Sequence, residues 1–259
     1  KYDEGGYFLL KGNERVLVCQ LRNNYNTISV IKQKKKDKYK YIAALRSMSI
    51  STGHSVATKM YISKDGKKIL TYVPHMKELI PIGLIFKCYG YINKDDISKL
   101  IGKDEKFELF ILYMLRDSYG VNSKEEALEI VGKNSISLIS KDKRGSYAKQ
   151  VLTSEILPHL GINSTEKEHA LFLGFMCRKL ILTFLEERKE DDLDHLGNRR
   201  IETPGVLCAE LFRTLFKRFV SNIQSQIEKK KHYPSISSII YRNNVITSNI
   251  RTCFSTGAW

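Results

Sequence analysis

At 259 residues, 42% of them apolar and 27% charged, the chain has the profile of a folded protein with one large domain or two modest ones, not of a disordered or collagen-like chain. Its 43 Lys and Arg against 28 Asp and Glu leave a formal charge of +15. Such an excess favours a polyanionic partner, nucleic acid or an anionic membrane surface, although a lysine-rich proteome produces the same excess without one.

No apolar run approaches the roughly 18 residues of a spanning helix, so no membrane partner is expected. Five scattered cysteines, Cys19, Cys88, Cys177, Cys208 and Cys253, read as reduced intracellular thiols, because their number is odd and no pair has zinc-ligand spacing. The chain opens on Lys1-Tyr2-Asp3-Glu4-Gly5-Gly6, without initiator Met or signal core, and closes on Thr256-Gly257-Ala258-Trp259. It is expected to be an internal piece of a longer protein.

In chain order, Tyr7–Leu10 and Val16–Cys19 flank the turn Lys11-Gly12-Asn13-Glu14 and predict a hairpin. Thr27–Ile31 leads into a lysine run from Lys32 to Lys40, which suits a solvated loop that touches phosphates or only water. Alternation in Val56–Ile62 and in Ile69–Val73, joined at Asp65-Gly66, predicts a second hairpin. After Pro81 the spacing turns helical, over Ile82–Tyr89 with Gly90 as its stop, then over Asp95–Ile101, Glu105–Tyr119, Ser123–Val131 and Ser146–Ile156. Ser123 and Glu126 form a capping box.

A long helix, apolar on more than one face and so buried, is predicted over Thr165–Arg188, followed by a polar hinge over Glu186–Asn198. Thr203 and Pro204 open a second long helix to about Ile227. Its stripe runs through Leu207, Leu211, Phe212, Leu215, Phe219 and Ile223, with Arg213, Lys217 and Arg218 off it. Phe8 and Val16 are expected to share a domain with Leu211 and Leu215.

The cluster Asp191-Asp192-Leu193-Asp194-His195 invites a magnesium reading, as in prenyl-transferring enzymes. Such enzymes need a second acidic motif in an all-helical cavity, and neither is present. The alternative is that these carboxylates cap the hinge and pair with Arg199 and Arg200 around a turn at Gly197. The two arginines either grip phosphates bidentately or neutralise the acids, and spacing favours the second. Gly-rich phosphate loops and activated Ser or Cys contexts are missing, so no catalytic residue and no metal ligand is assigned.

The block Glu190-Asp191-Asp192-Leu193-Asp194-His195-Leu196-Gly197-Asn198-Arg199-Arg200 resembles the D-D-x-D-H-x-G-N-[KR]-R motif of the second-largest subunits of multisubunit RNA polymerases, the bacterial β subunit included. Further likenesses run collinearly through Gly5–Phe8, Glu14–Leu17, Ala44–Ser47, Ile80–Ile82, Tyr147–Lys149, Leu157–Leu160, Phe172–Gly174, Glu210–Arg218, Ile246–Ser248 and Ser255–Trp259. The helix Leu211–Arg218 and the closing Thr-Gly-Ala-Trp are nearest the eukaryotic RNA polymerase II type. Leu196–Arg200 is worded more like the bacterial β subunit, which points to a divergent lineage such as a large DNA virus or a parasite with a lysine-rich proteome.

The resemblance implies an α+β fold in which a mixed helical lobe domain with β-hairpins (residues 23–199) is inserted into a protrusion domain (1–22 and 200–250), with 251–259 entering the fork. It implies one wall of a nucleic-acid cleft lined by template DNA and the RNA–DNA hybrid. Implied partners are the largest and smaller subunits, and magnesium of the whole enzyme is held mainly by the largest subunit, with no cofactor in this piece. The piece alone is expected to be inactive, and nuclear, or in a viral factory or virion if viral. Lys34, Lys35, Lys36, Arg199, Arg200, Arg213, Lys217, Arg218 and Arg251 are the candidate phosphate contacts. The competing reading is a stand-alone basic nucleic-acid-binding module.

Overall fold

The computed structural model describes residues 5–34, 36–161, 163–229, 237 and 244–257. In chain order these form β1 (Phe8–Leu10), β2 (Asn13–Arg15), β3 (Gln20–Asn23), β4 (Ser29–Lys32), β5 (Tyr39–Met48), β6 (Ser55–Ser63), β7 (Ile69–Tyr72) and β8 (Ile80–Pro81). There follow α1 (Ile82–Cys88), α2 (Lys94–Ile101), α3 (Glu105–Asp117), α4 (Lys124–Lys133), α5 (Arg144–Gln150) and α6 (Glu166–Phe184). Last come β9 (Arg199–Glu202), α7 (Pro204–Lys229) and α8 (Val245–Thr256). Strands and helices mix as an α+β fold, divided into two compact units: Lys1–Asn23 with Arg199–Trp259, and Asn24–Asn198.

The larger unit is built on an antiparallel sheet of order β4-β5-β6-β7-β8. Alternation along β5 and β6 sends Ala43, Leu45, Met60 and Ile62 into the core, where α6 covers them. The opposite face holds no buried residue. The turn at Asp65-Gly66 is where the sequence places it. Gly66 sits at φ +72°, and a Cβ there would lie 2.8 Å from the Phe184 ring. At the β4 edge the acidic linker covers open ladder groups: Asp191 N–H donates to Val30 O (2.9 Å), Val30 N–H to Asp191 Oδ2 (2.8 Å) and Lys32 N–H to Glu190 Oε2 (3.2 Å).

Helix ends follow their residues. Gly90, at φ +89°, ends the α1 turn, and Ser123 accepts the Glu126 N–H at the start of α4. Thr165 and Glu168 make a full capping box at α6. This helix stops at Phe184, short of the expected Arg188, because Glu186 takes φ +63° and Arg188 turns to bind Asp191. The segment expected as one helix over Ser146–Ile156 begins earlier, at Arg144, and widens into a π turn over Val151–Glu155. Tyr89 Oη donates to the Leu152 carbonyl there (2.8 Å), and Thr58 Oγ1 to that of Ile156 (2.6 Å).

His169 is fully buried on α6, and its ring stacks against Tyr89 at 6.1 Å between centroids. Ser164 donates its hydroxyl proton to Gly161 O, so it accepts from His169 Nε2 (2.8 Å), which leaves the ring proton on Nε2 and Nδ1 without a partner. A proton added at Nδ1 would be a buried donor with nothing to bind. Burial first, and His159 second, hold this imidazole below its ordinary pKa. The unfolded chain therefore takes up the proton first as pH falls, and stability declines below about pH 6.5 by up to about 1.4 kcal/mol per pH unit for this group. Urea midpoints at pH 7.5 and pH 5.5 check this, and His169→Leu is expected to flatten the dependence.

In the smaller unit, β1 and β2 form the expected hairpin, but its second strand is Asn13–Arg15 rather than Val16–Cys19. Lys11 (φ 52°) and Gly12 (φ 79°) alone complete a type I′ turn, so pairing resumes at once with Leu10 opposite Asn13. Val16 is exposed and takes no part in the shared packing expected of it, whereas Leu17, Leu207 and Leu215 are buried. Phe8 meets Phe254 of α8 edge to face, centroids 4.5 Å apart. Strand β3 pairs with β9, a strand that periodicity had not suggested.

Candidate nucleic-acid interface

Lys34 and Lys36 are exposed in the β4–β5 loop, pinned at its base by Gln33 N–H to Lys40 O (2.9 Å) and closed by Asp37 N–H to Lys34 O (2.9 Å). Lys35 lies outside the described residues. Since β4, β5, β6 and β7 run antiparallel and Tyr39 faces Ser63, the β6–β7 loop lies at the same end of the sheet. It adds exposed Lys64, Lys67 and Lys68, which reading by runs of charge missed because they are separated in sequence from the first cluster. Asp37 and Asp65 share these loops, and the Ser63 hydroxyl, with the Lys67 N–H, holds Asp65 below the usual carboxylate range.

The remaining candidates belong to the other unit. Arg213, Lys217 and Arg218 are exposed along α7, and Arg251 is exposed on α8. Arg199 and Arg200 are half-buried on β9. The expected pairing of the acidic cluster with them is corrected at two positions: Asp191 binds Arg188 (2.5 Å), and Asp192 accepts the Asp194 N–H (2.8 Å). Arg188 lies three residues before Asp191 in the non-helical linker and turns back to it, whereas Arg199 and Arg200 continue into β9. Arg200 reaches Glu202 (3.7 Å), whose other oxygen meets Arg22 Nε at 3.0 Å. Glu202 is fully buried, a carboxylate that sequence reading passed over. Arg22 also reaches Glu210 on α7 (3.5 Å).

Among the described residues no three His, Cys, Asp or Glu side chains converge as a metal site needs. No described helix is long and apolar enough to cross a membrane.

Residues 24–202 match the family model described as RNA polymerase Rpb2, domain 2. The chain belongs to this family, the second-largest subunits of DNA-directed RNA polymerases. It is 30% identical to DNA-directed RNA polymerase II subunit 2 of Arabidopsis thaliana, over all of the chain and 23% of that protein. It is 31% identical to a probable RNA polymerase II subunit RPB2 homolog of Invertebrate iridescent virus 6, over 99% of the chain and 24% of the relative. Archaeal subunit Rpo2N of Methanocaldococcus jannaschii is 31% identical over 99% of the chain and 52% of its own length. The chain thus spans about a quarter of the polymerase II subunits it matches.

Proposed function

We propose that the chain forms one wall of the nucleic-acid cleft of a multisubunit RNA polymerase and holds template DNA and RNA–DNA hybrid by their phosphates. In this reading residues 23–199 are the lobe, 1–22 and 200–250 belong to the protrusion, and 251–259, of which Ala258 and Trp259 lie outside the described residues, lead into the fork. The observation that carries it is the match along the whole chain to second-largest subunits, joined to a net charge of +15. The two-unit division at Asn23 and Arg199 supports the domain reading.

The chain contributes to nucleotidyl transfer by positioning, and by itself it is inactive. Its partners are the largest and smaller subunits. The enzyme's magnesium, in this reading, is held mainly by the largest subunit. The eukaryotic relatives favour a nuclear enzyme and the iridescent-virus relatives a viral factory or virion.

Backbone binding of this kind is salt-dependent, because each neutralised phosphate releases counterions and contributes about −0.9 to the slope of log affinity against log salt. Fluorescence anisotropy with a labelled DNA duplex tests it. Replacing Lys34, Lys35 and Lys36 by Ala is expected to make the slope shallower by about 0.9 for each lysine that meets a phosphate. An unchanged slope means that the run is only a solvated loop.

A further inference from the structure

We propose that the open face of the five-stranded sheet is a stacking platform for single-stranded nucleic acid, centred on Tyr39, Tyr61 and Tyr72 with Lys59 and Arg46 beside them. The proposal rests on the nucleic-acid reading above and narrows it to one surface and one form of strand.

Register builds the face. Ile42 opposes Tyr61, Ala44 opposes Lys59, Arg46 opposes Ala57, and across the next ladder Lys59 opposes Tyr72 and Tyr61 opposes Leu70. All of these side chains point away from the core, and none is buried. By simple alternation Tyr39 would share the core face with Tyr41. A bulge between Tyr39 and Tyr41 inserts one residue, Lys40, and brings Tyr39 opposite Ser63, on the same face as Tyr61. The Tyr39 and Tyr61 rings then lie 5.0 Å apart, tilted at 45°. Lys40, displaced by the bulge, sets its ammonium over Phe184 at 4.7 Å and pairs with Glu186 at 3.8 Å.

Three features favour single-stranded nucleic acid over a protein partner. Aromatic rings on an open sheet stack unpaired bases, whatever their identity, whereas bases within a duplex present no free faces. Ala44 and Ala57 keep the surface low between the tyrosines and the cations, leaving room for a flat base. No residue of this face is a carboxylate, and the lysines of the β4–β5 and β6–β7 loops stand at its Tyr39 end, where a backbone leaving the platform would pass. Complementarity is thus to a chain carrying both planar bases and phosphates.

The test uses the whole 259-residue chain with two labelled probes, a 12-nucleotide oligo(dT) and a duplex of equal length, titrated by anisotropy. Tyr72→Ala is expected to weaken oligo(dT) binding by roughly fivefold to a hundredfold while leaving duplex affinity nearly unchanged. Tyr72→Phe, which keeps the ring, should bind as the parent does, and Lys59→Ala should make the single-strand salt slope shallower by about 0.7. Tyr72 is exposed, and unchanged thermal melts for both of its variants confirm that folding is not what is being read. Oligo(dT) binding that ignores Tyr72→Ala, or duplex binding alone, overturns the platform and leaves the charge-based reading standing. Binding of neither probe overturns both, and is the outcome expected if this face serves a protein partner.

Discussion

Gly174→Val is expected to cost at least about 3 kcal/mol of stability in the larger unit, the high end for overpacking. Gly174 lies on α6 where that helix crosses α2. A Cβ there would stand 2.6 Å from the Leu100 carbonyl oxygen and 2.9 Å from its carbonyl carbon. These are backbone atoms, so no rotamer change relieves the clash and α2 must shift as a body. The residues behind α2 resist that shift, because Ile97 and Ile101 are themselves buried in the core. The gain in helix propensity on replacing Gly, well under 1 kcal/mol, does not offset it. Urea denaturation checks the claim, with Gly205→Val as control, since a Cβ at Gly205 meets nothing within 4 Å. A midpoint shift equivalent to less than about 1 kcal/mol would show that α2 yields easily.

Removing the buried carboxylate of the smaller unit is expected to be comparably severe. Arg22 and Arg200 stand directly opposite each other across the β3–β9 ladder, a like-charge pair that by itself disfavours pairing. Glu202, two residues along β9, meets both guanidinium groups and removes the conflict. Glu202→Gln keeps the volume and discards the charge, leaving two partly buried cations face to face. The loss should be about 3 kcal/mol, read as faster hydrogen exchange of the β3 and β9 amides. Because apolar replacement of both arginines and Glu202 leaves no buried charge stranded, Glu210 being partly exposed, Arg22→Met, Arg200→Met and Glu202→Met combined should recover much of that stability. Equal exchange rates in Glu202→Gln and the parent would show that the ladder does not depend on this carboxylate.

Local signals were legible where one residue type has one conformational use. Gly90 as a stop, Ser123 as a cap, and Thr203-Pro204 as a start each satisfy or remove an orphan backbone group, and all stand at helix ends. Long-range pairing was not legible. Strand β9 is Arg-Arg-Ile-Glu, with no apolar alternation to announce it, and exists because β3 supplies its partner from the far end of the sequence. Glu202 looked like a surface residue because only the fold brings Arg22 to it. The Asp191 pairing went to Arg188 for a related reason: sequence shows which charges are near, whereas the direction in which the chain leaves decides which of them meet. The lysine run was plain in the sequence, yet the tyrosine face was hidden, since Tyr39 reaches it through a bulge that strict alternation does not foresee.

The chain enters the larger unit at Asn24 and leaves it at Asn198, and these residues are joined by a hydrogen bond from Asn24 N–H to Asn198 O (3.0 Å), with Asn24 Nδ2 donating to Gly197 O (3.0 Å). For an unfolded chain, bringing β3 and β9 together means closing a loop of that whole length, an entropic cost of about 4–5 kcal/mol from its length alone. Once Asn24–Asn198 has folded, its two ends already lie side by side and most of that cost is gone. The order of assembly is thereby biased: the inserted unit forms first from contacts nearer in sequence, and the β3–β9 ladder closes afterwards. During synthesis β3 would then wait for its partner until the ribosome has delivered everything through Glu202.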